Sequence, residues 1–286
     1  MSKLITVIGA TGTTGGATTR ALLAAGMRVR AATRDPKSPA ALALAKLGVE
    51  LCAANLDERS SIRKAMEGAD ATYIVGPSLG NRWDIGQAAQ GINAVDAAVE
   101  AGVSHLVYQS ALARTGRGVL SLGSKRAIEE RIAELDIPAT IMRPGNFMEN
   151  FINYFPIKEE NGTLAVVHPV PADKPLSMIA AVDIGRAGAA VIAAPKQYIG
   201  KAVDLVGESV SLTQMAAIIG SVIGKPAVPV SIPPEALEQG FPQAVSLYRW
   251  LSERADDDDI GMFERKFGAP LKFRAWVEQV LAPILK

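Results

Sequence analysis

Gly9, Gly12 and Gly15 recur at every third position where an apolar run, Leu4 to Ile8, gives way to helix formers. Each meets a demand that a bound phosphate makes on the backbone. Gly9 permits a tight turn off a strand, Gly12 lets main chain approach a pyrophosphate, and Gly15 lets the following helix lie close on the sheet. The first helical N–H groups then point at the anion, which the helix dipole favours. An ordinary strand–helix turn would also use glycine. The motif's place, after a strand, before a helix and at the start of the chain, favours the nucleotide.

The choice between NAD and NADP falls about twenty residues beyond such glycines, at the end of the second strand. Here that place reads Thr33-Arg34-Asp35-Pro36. An acidic side chain there accepts from a ribose 2′-hydroxyl, whereas a guanidinium clamps a 2′-phosphate. Arg34 comes first, with Lys37 as a second cation, so NADP(H) is favoured over NAD(H). Asp35 keeps NAD open, although Asp before Pro is equally a turn residue.

Other candidates sit at strand ends. Val75-Gly76-Pro77 breaks the fourth strand at the carboxyl edge, where such folds bind ligands, and Trp83 lies in its extension. Asp57 either caps the next helix or meets an adenine amino group. Ser110, at the carboxyl end of strand five, is placed to touch a substrate or the nicotinamide ribose, while Tyr108 reads as core and His105 as a structural residue at the strand's start. Phe147, Met148, Phe151, Tyr154 and Phe155 crowd one stretch of a chain with 5% aromatics, which suggests an apolar wall of a substrate cleft.

The elements that position these groups alternate. Strands are expected at 4–8, 27–33, 49–53, 71–75, 105–110 and 139–142. Helices are expected at 17–25, after Ser38 as N-cap with Pro39 in the first turn, after Asp57 up to Gly68, from Ile85 to Ala101, and from Ser124 to Leu135. Six strands alternating with helices make an α/β fold of the Rossmann type, a doubly wound parallel sheet. Residues 1–150 form that domain. Beyond Asn150 the alternation fails, and 151–286 form a smaller lobe for the substrate, with segments near 178–206 returning to the first domain. A late strand is expected at 202–206, and a helix at 211–224 capped by Ser211.

The 286 residues carry a net charge of +1 with scattered basic groups, which leaves no footprint for nucleic acid. One cysteine, Cys52, excludes an internal disulfide, and two histidines with one thiol do not compose a zinc site. Asp256 to Asp259 reads as a solvated turn, and no metal is expected. Asp183 and Arg186 interrupt the apolar stretch 178–194, so no membrane span is expected. Met1-Ser2-Lys3 leads straight into the first strand, which points to a cytoplasmic protein.

Gly-Ala-Thr-Gly-Thr-Thr-Gly from Gly9, Thr-Arg-Asp-Pro from Thr33, Ser124-Lys125 with Glu129-Glu130 downstream, and Arg-Pro-Gly-Asn-Phe-Met-Glu-Asn from Arg143 together resemble the NmrA-like family of atypical short-chain dehydrogenase/reductases. The likeness runs from residue 4 to about 224. It implies that Thr11, Thr13 and Thr14 share the phosphate loop, that Lys125 contacts the nicotinamide ribose or acts as acid/base, and that Gly145, Asn146 and Phe147 flank the nicotinamide. The Tyr four residues ahead of the lysine in other short-chain reductases is absent; Ser121 stands there, and a serine hydroxyl is too weak an acid to replace it. The family includes NADPH-dependent quinone and dye reductases and redox-sensing regulators. The leading expectation is an NADPH-dependent oxidoreductase that passes hydride to a small apolar or aromatic acceptor, with Lys125, or water ordered by it and Ser110, managing the proton. A non-catalytic redox sensor acting through a protein partner and a cofactor-assisted isomerase or lyase remain alternatives, and the oligomeric state is open.

Overall fold

Leu4–Ile8 forms β1 with all five side chains buried, as a strand covered on both faces requires. The computed structural model describes residues 2–76, 85–112, 119–255 and 257–285. After β1 come α1 (Thr13–Ala24), β2 (Arg28–Thr33), α2 (Pro39–Ala45), β3 (Glu50–Ala53), α3 (Arg59–Met66), β4 (Ala71–Val75), α4 (Ile85–Glu100), β5 (Leu106–Gln109), α5 (Leu120–Glu134) and β6 (Ala139–Pro144). The chain continues through β7 (Asn146–Phe147), α6 (Asn150–Asn153), β8 (Lys158–Glu160), β9 (Thr163–His168), β10 (Pro175–Ile179), α7 (Ala181–Ala193), α8 (Pro195–Tyr198), β11 (Lys201–Leu205), β12 (Glu208–Ser211), α9 (Leu212–Ile223) and β13 (Ala227–Ser231). Helices α10 (Pro242–Glu253), α11 (Met262–Phe267) and α12 (Phe273–Trp276) follow.

The seven-stranded sheet has the order β11-β6-β5-β4-β1-β2-β3. Its registered pairs from β3 to β6 are all parallel. Strand order reverses between β1 and β4, the switch point at whose carboxyl edge a doubly wound sheet binds ligands. This is the Rossmann-type sheet.

The chain divides into two compact units. The first holds the residues up to Leu112 with Leu122–Arg143 and Ile184–Val203; the second holds Pro144–Asp183 and Asp204 onward. In the first unit Ile8, Ile62, Met66, Ile74, Leu106 and Ile128 bury together. Within it α7 is laid tightly on α1, because a Cβ at Gly185 would stand 2.5 Å from the Ala17 carbonyl carbon. The second unit has two three-stranded sheets, β12-β10-β7 and β13-β9-β8, around a core that includes Leu164, Val166, Met215, Phe273 and Trp276.

Local signals explain several boundaries. Ser38 caps α2 by accepting from Ala41 N–H, with Pro39 in the first turn. Ser211 and Gln214 close a capping box on α9, which ends on the left-handed Gly224. Helix α1 starts at Thr13 and not at Ala17, because Thr13 to Gly16 already form its first turn. The acidic turn is also less solvated than its composition suggests. Asp258 is buried against Arg254 at 2.7 Å and accepts from Ser177 at 2.5 Å, while Asp259 pairs with Arg265. Among the described residues no helix is long and apolar enough to cross a membrane, and no three His, Cys, Asp or Glu gather to hold a metal.

Candidate functional site

The glycine motif folds into a cradle at the carboxyl end of β1. Gly9 has φ +80°, and the N–H of Gly12 donates to its carbonyl at 3.0 Å. A Cβ on Gly15 would lie 2.1 Å from that carbonyl oxygen, so only glycine lets α1 begin this close to β1. A Cβ on Gly9 would meet Val75, whereas Gly76 has open space around it. Thr11, Gly12 and Thr13 are exposed and Thr14 is buried. No side chain caps α1 and no acidic residue occupies its first turn. The cradle therefore fits an anionic pyrophosphate, which a carboxylate in that turn would repel.

At the end of β2 the structure separates the two readings of Thr33 to Pro36. Asp35 accepts the Lys37 N–H on Oδ1 at 2.8 Å, and its carbonyl accepts from Ser38 Oγ at 2.8 Å. Its carboxylate is thus spent on the turn that launches α2. Arg34 and Lys37 are exposed, and neither side chain has a hydrogen-bond or ion-pair partner among the described residues. Asp57 is exposed and does not cap α3, whose N-cap is Glu58; it accepts from Gln90 at 2.8 Å. Pro77 and Trp83 lie outside the described residues.

A polar cluster stands at the carboxyl ends of β5 and β6. Ser110, buried, donates to Glu129 Oε1 at 2.5 Å. Arg143 donates to the same oxygen from Nε at 3.2 Å and to Oε2 from Nη2. Ser110 has one hydrogen and gives it to Glu129, which leaves its oxygen as an acceptor. Lys125, one turn before Glu129 on α5, is half-buried. Loss of solvation pulls its ammonium down to about 8, against the opposing charge of Glu129. Neighbouring Ser124 is buried and donates to Gln87 at 2.7 Å. Tyr108 is core: its hydroxyl is buried without a partner among the described residues, and burial pushes its ionisation far up. His105 is structural too, with Nε2 2.8 Å from Thr140 Oγ1 and its pKa lowered to about 4 by burial.

In the second unit the residues after β6 have structural reasons of their own. A Cβ on Gly145 would meet the Ser177 carbonyl oxygen at 2.5 Å, and Asn146 pairs with Met178 of β10. Phe147 and Phe155 are half-buried and Tyr154 is exposed, whereas Met148 and Phe151 are sunk in the core. Those last two are not the open wall that the aromatic run suggested, because packing on Leu164, Val166 and Phe273 claims their surface. Reading the residues alone gave no part to Glu129, Arg143 and Glu149. Only the spacing of Lys125 and Glu129, one turn apart on a helix, carried a signal.

A doubly wound parallel sheet with a glycine cradle at its switch point places the chain among the Rossmann-type α/β proteins. Within that class it belongs to the NmrA-like family, which matches over residues 1–282. Quinone oxidoreductase 2 of Escherichia coli (strain K12) is 27% identical over 263 residues, covering 90% of this chain and 87% of that one. The crystal structure of NmrA, a negative transcriptional regulator, is similar with a TM-score of 0.83 at 21% identity, over 100% of this chain and 97% of that one. The triphenylmethane reductase of Citrobacter sp., complexed with NADP(H), gives a TM-score of 0.79 at 22% identity, over 96% of this chain and 99% of that one.

Proposed function

We propose that the first unit binds NADP(H) and that the protein reduces a small apolar or aromatic acceptor, quinone-, dye- or enone-like. The observation that carries this reading is Lys125, an amine whose ammonium titrates at about 8 on the helix after β5. Such a group donates protons at neutral pH and recovers them readily. The cofactor, when bound, supplies hydride. Thr11 to Gly15 hold its pyrophosphate, Arg34 and Lys37 take the 2′-phosphate, and Asp57, Val75 and Gly76 lie along the adenosine half. Gly145, Asn146 and Phe147 flank the nicotinamide, and Phe147 the acceptor. Lys125 protonates the acceptor as hydride arrives. Ser110 contributes an acceptor oxygen, not a proton. The quinone and dye reductases among the similar proteins support the acceptor class.

The test is NADPH oxidation with a panel of quinones, triphenylmethane dyes and aromatic enones, run on the protein and on Lys125→Ala after both are shown to bind cofactor. Turnover that depends on Lys125 is expected. Ser121, standing where a reductase tyrosine would be, favours a second reading: a sensor that binds the dinucleotide without turning it over. Firm binding with no oxidation by any acceptor, and unequal affinity for the oxidised and reduced forms, would establish that reading instead.

A further inference from the structure

Glu129 has no part in the proton transfer as written so far, yet it is the most heavily tethered acidic group near Lys125. Ser110 and Arg143 together occupy both of its oxygens. Its side chain is 18% exposed and that of Arg143 25%. The tethers come from two different strands, one just beyond the end of β5 and one within the last turn of β6, so the carboxylate cannot swing to solvent without breaking both. It is fixed one helical turn from Lys125, the spacing at which side chains on a helix face each other.

We propose that Glu129 is a positioning residue for proton delivery: its carboxylate, immobilised by Arg143 and Ser110, keeps the Lys125 ammonium charged without pairing with it. Among the described residues Lys125 makes no hydrogen bond or ion pair. The inference rests on the reading of Lys125 as the proton donor. Among the described residues, the other groups around this cluster do not carry the charge. Tyr108 on β5 is a buried neutral phenol, Gln87 on α4 is engaged by Ser124, and Arg143 on β6 is taken up by Glu129 itself. Glu129 is the charge that opposes the desolvation of Lys125.

The proton count is simple. The ammonium gives one proton to the acceptor as the hydride electron pair arrives, leaving a neutral amine that is reprotonated from water. Glu129 neither gains nor loses a proton. It favours the charged form before and after the step.

Glu129→Gln keeps the shape and an acceptor oxygen but removes the charge. In lysine labelled with 13C at Cε, with the Lys125 signal assigned by its loss in Lys125→Arg, the titration midpoint is expected to fall from about 8 by roughly one unit, tenfold in the acid constant. The alkaline limb of kcat/KM for NADPH oxidation by 1,4-benzoquinone should move by the same amount. The pair Glu129→Gln with Arg143→Gln leaves no unpaired buried charge, so the folded protein remains measurable if the single variant does not fold. A merely structural Glu129 would lower Tm and NADPH affinity with both midpoints unmoved, and that result overturns the proposal. Wild-type protein that binds NADPH but never oxidises it overturns the parent reading instead. The NMR midpoint then still reports whether Glu129 holds the charge on Lys125.

Discussion

The indole N–H of Trp276 donates to Glu149 Oε1 at 3.1 Å, and the same carboxylate accepts the backbone N–H of Ala181 at 3.1 and 3.0 Å. One half-buried acid thus ties the start of α7 to the end of α12. Burial raises its carboxyl above the usual range, while the N–H donors and the Trp276 indole pull it back. Glu149→Ala strands two buried donors and should cost roughly 2–4 kcal/mol in urea unfolding. Glu149→Gln keeps an acceptor and should cost clearly less. Equal losses would show that the donors find other partners.

Gly15→Ala puts a methyl group where the Gly9 carbonyl stands, 2.1 Å away. The helix must shift, so this variant should lose NADPH binding together with ~1–3 kcal/mol of stability. Gly123 is exposed within α5, with nothing near its missing Cβ. Gly123→Ala should add ~1 kcal/mol, the ordinary propensity gain in a helix interior. Paired denaturation curves and fluorescence titrations with NADPH decide both points.

Arg34→Ala combined with Lys37→Ala removes two cations without breaking any partnership among the described residues. Affinity for NADPH should fall at least tenfold while that for NADH changes little. A parallel loss for both dinucleotides would place these side chains elsewhere in the complex.

Lys125 bears on stability as well as on turnover. Its ammonium is lowered to about 8 in the fold and titrates near 10.4 in an unfolded chain. Between those values the unfolded state binds more protons, so stability rises with pH. Below about 8 both states are protonated and the penalty, at most about 3 kcal/mol, is fully present. Lys125→Met should therefore raise Tm at pH 7 while abolishing NADPH oxidation, and the gain should shrink by pH 10. A variant that is less stable at pH 7 would contradict the desolvation argument.

His168 makes the opposite edge of the pH range sensitive. Its ring lies 5.0 Å from Phe155 and 5.3 Å from Tyr248, its Nδ1 is buried without a partner among the described residues, and burial lowers its pKa to about 3. From pH 6.5 down to about 3 the unfolded state takes up a proton that the fold refuses, so stability falls as pH falls. His168→Phe should flatten that slope in thermal melts between pH 7 and 4. An unchanged slope would assign the acid sensitivity to His105 and the carboxylates.

These sites differ in how far they could be read beforehand. The cradle was legible because Gly9, Gly12 and Gly15 answer backbone demands that are local in sequence, as do the Ser38-Pro39 and Ser211-Gln214 caps. Glu129 was not, because its meaning comes from Ser110 and Arg143 on two other elements. The aromatic run misled in part: clustering in sequence does not say which side chains a core will take, and it took Met148 and Phe151. Asp258 looked like one of four solvated charges, and only the arrival of Ser177 and Arg254 shows why it is buried.

The close seat of Gly185 on Ala17 also bears on how the protein is made. Ile184–Val203 belongs to the first unit, but the chain reaches it only after Pro144–Asp183 has gone to the second. On the ribosome the sheet from β3 to β6 emerges with the outer edge of β6 unpaired, and it stays so until β11 is synthesised. Order of birth is thus not order of completion. During that interval the nascent chain carries an exposed strand edge and an open niche on α1, the features that invite pairing with other chains. A gene fragment stopping after β6 encodes this vulnerable state permanently.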